Sequence, residues 1–330
     1  MKAFEYASPR TEEEVVGLLS SDRGHSEVLA GGTDLIGLMK RMIVTPERVV
    51  NIREVASLSG IDVDSAGAVI GAVTSLEEIL DDERLNAYPS VKQAICGISS
   101  QQLQSQGTLG GELCQRPRCW YFRNGHGLLA ARGRMAAEGD NRYHAIFGNA
   151  GPAKFVCPSR LAPALIALGA RLRIVGPGET EENYLPLESF YRTPRDEHQR
   201  ENVLLPNQLV THVHLPAAEG WANAAYEVRQ GAGPDYPLAA AACALRIAGG
   251  TVREARVVLG QVAPTPWVSP EATEALIGRP LDGEAIRAAA AAAVRPATPL
   301  SGNRYKVQLA RVAVERALLL AAGRNPGGLA

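Results

Sequence analysis

A chain of 330 residues, 46% of them apolar and with a formal net charge of −1, has material for two or three packed domains. The balance of 34 basic against 35 acidic residues, with no long run of either sign, argues against nucleic acid or an anionic membrane as the main partner and for a small or neutral one. The start, Met1 to Tyr6, holds no apolar signal region, no window reaches the roughly 18 apolar residues of a membrane span, and five scattered cysteines make no disulfide framework, so a reducing, cytoplasmic setting is expected.

In chain order, Pro9 to Glu14 predicts a helix start, with Thr11 as N-cap and Glu14 closing a capping box ahead of Val15, Val16, Leu18 and Leu19. A short strand then runs into Leu29-Ala30-Gly31-Gly32-Thr33-Asp34-Leu35, which opens a helix-like run to Met42. Two adjacent glycines allow φ > 0 and a close approach of backbone N–H groups to a ligand, a turn that suits a phosphate. Alone, such a pair after a strand is more often just a tight turn. Arg48 to Ile52 and Ala68 to Ala72 read as strands, giving α+β texture, and Ser75 to Leu80 and Ser90 to Ile98 as helices. The second of these leads to another glycine turn, Gly107-Thr108-Leu109-Gly110-Gly111, and two such turns make two halves of one anion cradle.

From Cys114 to Asn149 the chain is rich in Arg, Gly and aromatics without sustained apolar periodicity, long for a loop and read as an insertion. Ser159 to Ala170 predicts a helix with Pro163 in its first turn, Arg171 to Val175 a strand ended by Gly176-Pro177-Gly178, and Leu209 to Leu215 a strand stopped at Pro216. Composition then shifts, placing a domain boundary near residue 218. Beyond it, Ala239 to Ala248 is expected as an alanine-rich helix, Val252 to Gln261 as a strand, and Glu271 to Ile277, Gly283 to Val294 and Asn303 to Ala322 as helices.

Seven ordered pieces carry a resemblance over nearly the whole chain. They are Phe4-Glu5-Tyr6 with Pro9 and Thr11, Ala30 to Leu35, Ile70 to Thr74, Gly107 to Gly111, Pro158 to Leu165, Ala263 to Trp267, and Tyr305 to Ala310. Together they resemble the flavin-binding medium subunit of the molybdenum hydroxylases, the xanthine dehydrogenase, carbon monoxide dehydrogenase and aldehyde oxidoreductase family. The resemblance implies a PCMH-type FAD-binding fold over 1–218, with subdomains at about 1–55 and 56–218 and the insertion at about 114–149. A C-terminal domain of a small antiparallel sheet and helices would follow over 219–330.

It also implies FAD held between the N-terminal subdomains by Leu29, Ala30, Gly31, Gly32, Thr33, Asp34 and Leu35 and by Gly107, Thr108, Leu109, Gly110, Gly111 and Glu112. Arg160 would belong to the flavin surroundings, and Ile98 would stand where relatives place an apolar group against the ring, although a helix-end Ile is otherwise core. For Asp34, a carboxylate beside a diphosphate is repelled, which favours turn stabilisation or a ribose contact. Relatives carry Asn where this chain has Glu112 and Asp where it has Arg160, and the segment Tyr226-Glu227-Val228-Arg229 has lost a Lys. Arg160 and Glu227 are then either a reversed charge pair near the flavin or solvated groups in a shifted alignment.

The insertion, Cys114 to Arg123 followed by Asn141 to Gly148, is similar to the narrower branch of aldehyde oxidoreductases and 4-hydroxybenzoyl-CoA reductase, whose members hold a 4Fe–4S cluster there. Such a cluster needs about four thiolates. This loop supplies Cys114 and Cys119, with Cys157 a third only if near, so it reads as a loop that has lost its metal and is kept for packing or subunit contact. His126 and His144 read as surface or hydrogen-bonding residues.

The functional expectation is an electron-transfer subunit with no catalytic side chain of its own. Electrons would pass from 2Fe–2S centres on a small partner subunit through FAD to NAD⁺ or another acceptor, and substrate would be oxidised at a molybdenum cofactor on a large subunit. Alternatives are an assembly subunit with a degenerate flavin site and a stand-alone flavoprotein oxidase.

Overall fold

The computed structural model describes residues 1–178, 180–231 and 233–327. The N-terminal strands are short and β-rich, and each is followed by a helix, so they pair in parallel. β1 (Glu5–Ala7), α1 (Glu12–Leu18), β2 (Ser26–Leu29), α2 (Leu35–Lys40) and β3 (Arg48–Asn51) form a three-stranded sheet in the order β1-β3-β2. Thr11 caps α1 by accepting from the Glu14 amide, but the return bond of the expected capping box lands one residue early, on the Arg10 amide at 2.7 Å. Val15, Val16 and Leu19 of this part pack with Val50, Ile52 and Leu58.

A second sheet starts as the hairpin β4 (Ile61–Asp64) and β5 (Gly67–Gly71). The chain continues through α3 (Leu76–Asp81), α4 (Pro89–Cys96), α5 (Gln101–Gln106) and α6 (Leu109–Leu113). Ser75 makes a complete capping box with Glu78 on α3. The insertion carries α7 (Trp120–Arg123) and α8 (Arg134–Glu138). It lacks long-range periodicity yet is packed: Phe122, Leu128, Leu129 and Phe155 form a small core with Leu38 of α2. Glu197 fixes its middle, accepting from the Leu128 and Leu129 amides at 2.8 and 2.9 Å.

The helix expected over 159–170 is shorter, α9 (Ala162–Ala167), because the Ser159 hydroxyl caps it at the Ala162 amide and Gly169 turns out of it at φ +80°. β6 (Arg171–Val175), β7 (Glu182–Pro186) and β8 (Leu209–Pro216) complete an antiparallel sheet of order β4-β5-β8-β6-β7.

The last part is a four-stranded antiparallel sheet, β9 (Trp221–Val228), β10 (Ala239–Ala248), β11 (Thr251–Gly260) and β12 (Trp267–Val268), followed by α10 (Pro270–Leu276), α11 (Gly283–Ala293) and α12 (Tyr305–Ala321). The alanine run expected as a helix is therefore β10, a central strand paired on both edges. Its residues divide with a period of two: Ala239, Ala241, Cys243 and Leu245 enter one core, Ala242 and Ala244 the other. Burial on both faces overrides the helix preference of alanine, and small side chains let helices close on the strand from either side. No helix among the described residues is long and apolar enough to cross a membrane.

Candidate functional site

The two glycine turns touch. A Cβ on Gly31 would stand 1.6 Å from the Gln106 carbonyl oxygen and 3.5 Å from the Gly107 Cα, so only glycine permits this approach. Gly110 is held against Ala72 in the same way, its added Cβ 2.8 Å from the Ala72 methyl. Beside this junction lies a cavity of about 200 Å³, between the parallel sheet and the five-stranded one.

Ala30, Gly31, Gly32, Thr33, Asp34, Leu35, Thr108, Gly110 and Gly111 line it. Leu29 stays in β2, its carbonyl accepting from the Ile52 amide, and Gly107 and Leu109 flank the second turn away from the cavity. Ile98, Glu112 and Arg160 are buried outside the lining.

The halves of the cradle are unequal. The amides of Gly31, Gly32 and Thr33 donate to no acceptor among the described residues. Those of the second turn are spent: Leu109 on the Thr74 carbonyl at 3.0 Å, Gly110 on the Ala72 carbonyl at 2.8 Å, Gly111 on the Thr108 hydroxyl at 3.2 Å. The first turn therefore offers open donors, and the second offers a wall with no Cβ in the way.

Asp34 turns toward the insertion. Its carboxylate accepts from the Arg116 amide at 2.8 Å and from the Arg118 and Arg123 guanidiniums. Burial alone would raise its pKa, but the two arginines outweigh burial and hold the carboxyl below its ordinary value. Arg118 also reaches Tyr236, so the turn, the insertion and the last part of the chain share one network.

Arg160 and Glu227 are an ion pair at 3.2 Å, with both side chains buried. Arg160 further donates to the carbonyls of Gly97 and Asp235, and a Cβ at Gly97 would meet the Glu227 carboxylate at 2.3 Å and push that side chain aside. This pair fastens the end of α4 to β9. Glu112 accepts from the Arg160 amide and the Ser159 hydroxyl at the start of α9, and burial raises its pKa to about 7.

In the insertion, Cys119 Sγ lies 3.2 Å from His144 Nε2, and among the described residues no three metal-ligating side chains converge. Burial, with Lys306 nearby, lowers the His144 pKa to about 4. Lys306 is buried and donates to the carbonyls of Tyr143, His144 and Gln261, pinning the insertion to α12. Sequence reasoning missed Arg23, Arg116, Arg200 and Glu27, which also line the cavity. Nothing local marks them, since they converge from separate segments.

A family model described as "FAD binding domain in molybdopterin dehydrogenase" matches residues 2–218, and one for the "CO dehydrogenase flavoprotein C-terminal domain" matches residues 224–321. The chain is 33% identical to the aldehyde oxidoreductase FAD-binding subunit PaoB of Escherichia coli K12, over 81% of this chain and 84% of that protein. It is 29% identical to the carbon monoxide dehydrogenase medium chain of Afipia carboxidovorans, over 98% of both. In structure it is similar to carbon monoxide dehydrogenase from Hydrogenophaga pseudoflava, with a TM-score of 0.76 at 27% identity and 98% coverage of each chain.

Proposed function

The chain belongs to the family of FAD-binding medium subunits of molybdenum hydroxylases, and from that premise we propose that it carries electrons from 2Fe–2S centres on a small partner subunit, through FAD, to NAD⁺ or a comparable acceptor. Substrate would be oxidised at a molybdenum cofactor on a large partner subunit. In this reading residues 1–218 hold the cofactor and residues 219–330 form the second domain.

The observation that carries it is the cavity at the meeting of the two glycine turns. The residues fit a diphosphate-bearing nucleotide: Gly31, Gly32 and Thr33 present unspent amides, and Gly110 and Gly111 clear space for close approach. FAD, when bound, would supply a store for two electrons that can be filled one at a time. The chain's own work would be to grip the diphosphate, exclude water from the cavity and hold the orientation of the cofactor toward its partners. No side chain need act as acid or base.

A visible flavin band in the purified chain, and its bleaching by NADH or by the assembled small subunit, tests the proposal. A chain that assembles with its partners but takes up no FAD would instead be an assembly subunit.

A further inference from the structure

One wall of the nucleotide cavity is a charge cluster that runs from the exposed Arg23 through half-buried side chains to the buried Glu201. Arg23, Arg116, Arg200 and Glu27 line the cavity, and Arg192 and Glu201 stand behind them. Arg116 is in ionic contact with Glu201, their side chains 12% and 6% exposed, and Arg200 pairs with Glu27 at 3.4 Å.

The cluster is unfinished in two respects. Four guanidiniums face two carboxylates, an excess of two positive charges, and Arg23 is held below its ordinary pKa by burial and by the charges of Arg200, Arg116 and Arg192. Hydrogen bonding is also incomplete: Nε of Arg192 and Arg200 and Oε2 of Glu201 lack a partner among the described residues, while Arg116 Nε and Glu201 Oε1 have only each other. Buried groups of this kind are costly unless something satisfies them. The unspent amides of Gly31 to Thr33 open into the same cavity.

We propose that Arg116 and Arg200 take the diphosphate of the nucleotide, exchanging Glu201 and Glu27 for phosphate oxygens, so that the insertion supplies part of the cofactor grip. This rests on the FAD reading and extends it. A diphosphate diester carries two negative charges, which the cluster's excess matches, and planar guanidiniums suit paired phosphate oxygens. Arg116 comes from the insertion, so that segment serves the nucleotide without any metal. Glu201 then opposes binding, because it competes for Arg116.

The two partners therefore predict opposite signs. FAD and inorganic pyrophosphate are titrated into the full-length apo chain by calorimetry, with melting temperature as a check on folding. Arg116→Gln and Arg200→Gln should weaken both ligands by roughly 10- to 100-fold, Arg116→Lys should recover part of the loss, and Glu201→Gln should tighten both. If Glu201→Gln weakens binding as much as Arg116→Gln, the pair is only a fold element and the proposal falls. It falls equally if Arg116→Gln binds pyrophosphate as the natural chain does, or if the natural chain binds neither ligand. Pyrophosphate binding that follows this pattern without any FAD uptake would uphold the arginine assignment and overturn the FAD reading.

Discussion

The Arg123 guanidinium donates a 2.8 Å hydrogen bond to the Asp34 carboxylate across 89 positions of sequence. With the Arg118 guanidinium and the Arg116 amide on the same carboxylate, it ties the first glycine turn to the insertion. Both side chains of the pair are largely buried, at 13% and 14% exposure. Asp34→Asn should therefore cost about 3 kcal/mol, since it leaves the largely buried Arg123 and the half-buried Arg118 without their counter-charge. Denaturant unfolding measures that loss, and faster protease nicking within residues 124–139 would report a loosened insertion.

Gly31→Ala should separate the two turns, because the new methyl would overlap the Gln106 carbonyl. The expected result is loss of FAD binding together with a stability loss of at least about 2 kcal/mol. Gly17→Ala is the control: it sits in α1 with nothing within 4 Å of its Cβ, and should stabilise by up to about 1 kcal/mol. Equal effects from the two substitutions would refute the close approach as the reason for Gly31.

Glu112 gives a pH signature. Its folded pKa of about 7 lies above the ordinary 4.5, so between those values the folded state holds a proton that the unfolded state has released. Stability from this group is full below pH 4.5 and declines as pH rises toward 7, by about 3 kcal/mol at most. Glu112→Gln should remove that slope. Between pH 4.5 and 7.5 the unfolding free energy of the natural chain should fall relative to that of the variant by up to about 3 kcal/mol; parallel curves would refute the assignment.

The Arg160–Glu227 pair should behave as a structural clasp. Arg160→Glu places two carboxylates together in a buried site and should cost more than about 3 kcal/mol. Adding Glu227→Arg should return part of that, though not the bonds to the Gly97 and Asp235 carbonyls. FAD affinity should recover alongside stability in the double variant. Affinity that stays lost while stability returns would mean that Arg160 touches the cofactor itself.

Much of this was legible because its causes are local. Thr11 caps α1 with its own side chain, and Gly107 breaks the chain between α5 and α6, although Leu109 to Gly111, expected as part of a turn, open α6. The reversed pair of Arg160 and Glu227 was one of two open readings, and the structure decides for the pair by burying both. One expectation failed: Ala239 to Ala248 was read by propensity, yet pairing with β9 and β11 decided it. Glu112, counted with the cofactor turn, has its carboxylate at the start of α9.

By itself, the sequence determined where the chain must bend sharply and which segments alternate or cap, since glycine freedom, capping hydroxyls and apolar spacing act over a few residues. Only the tertiary structure decided what those bends meet. The contact of Gly31 with Gln106, the convergence of Arg23, Arg116 and Arg200 on one wall, and the burial of β10 on both faces join residues far apart in the chain. Such contacts arise from packing whole elements together, and no local preference encodes them.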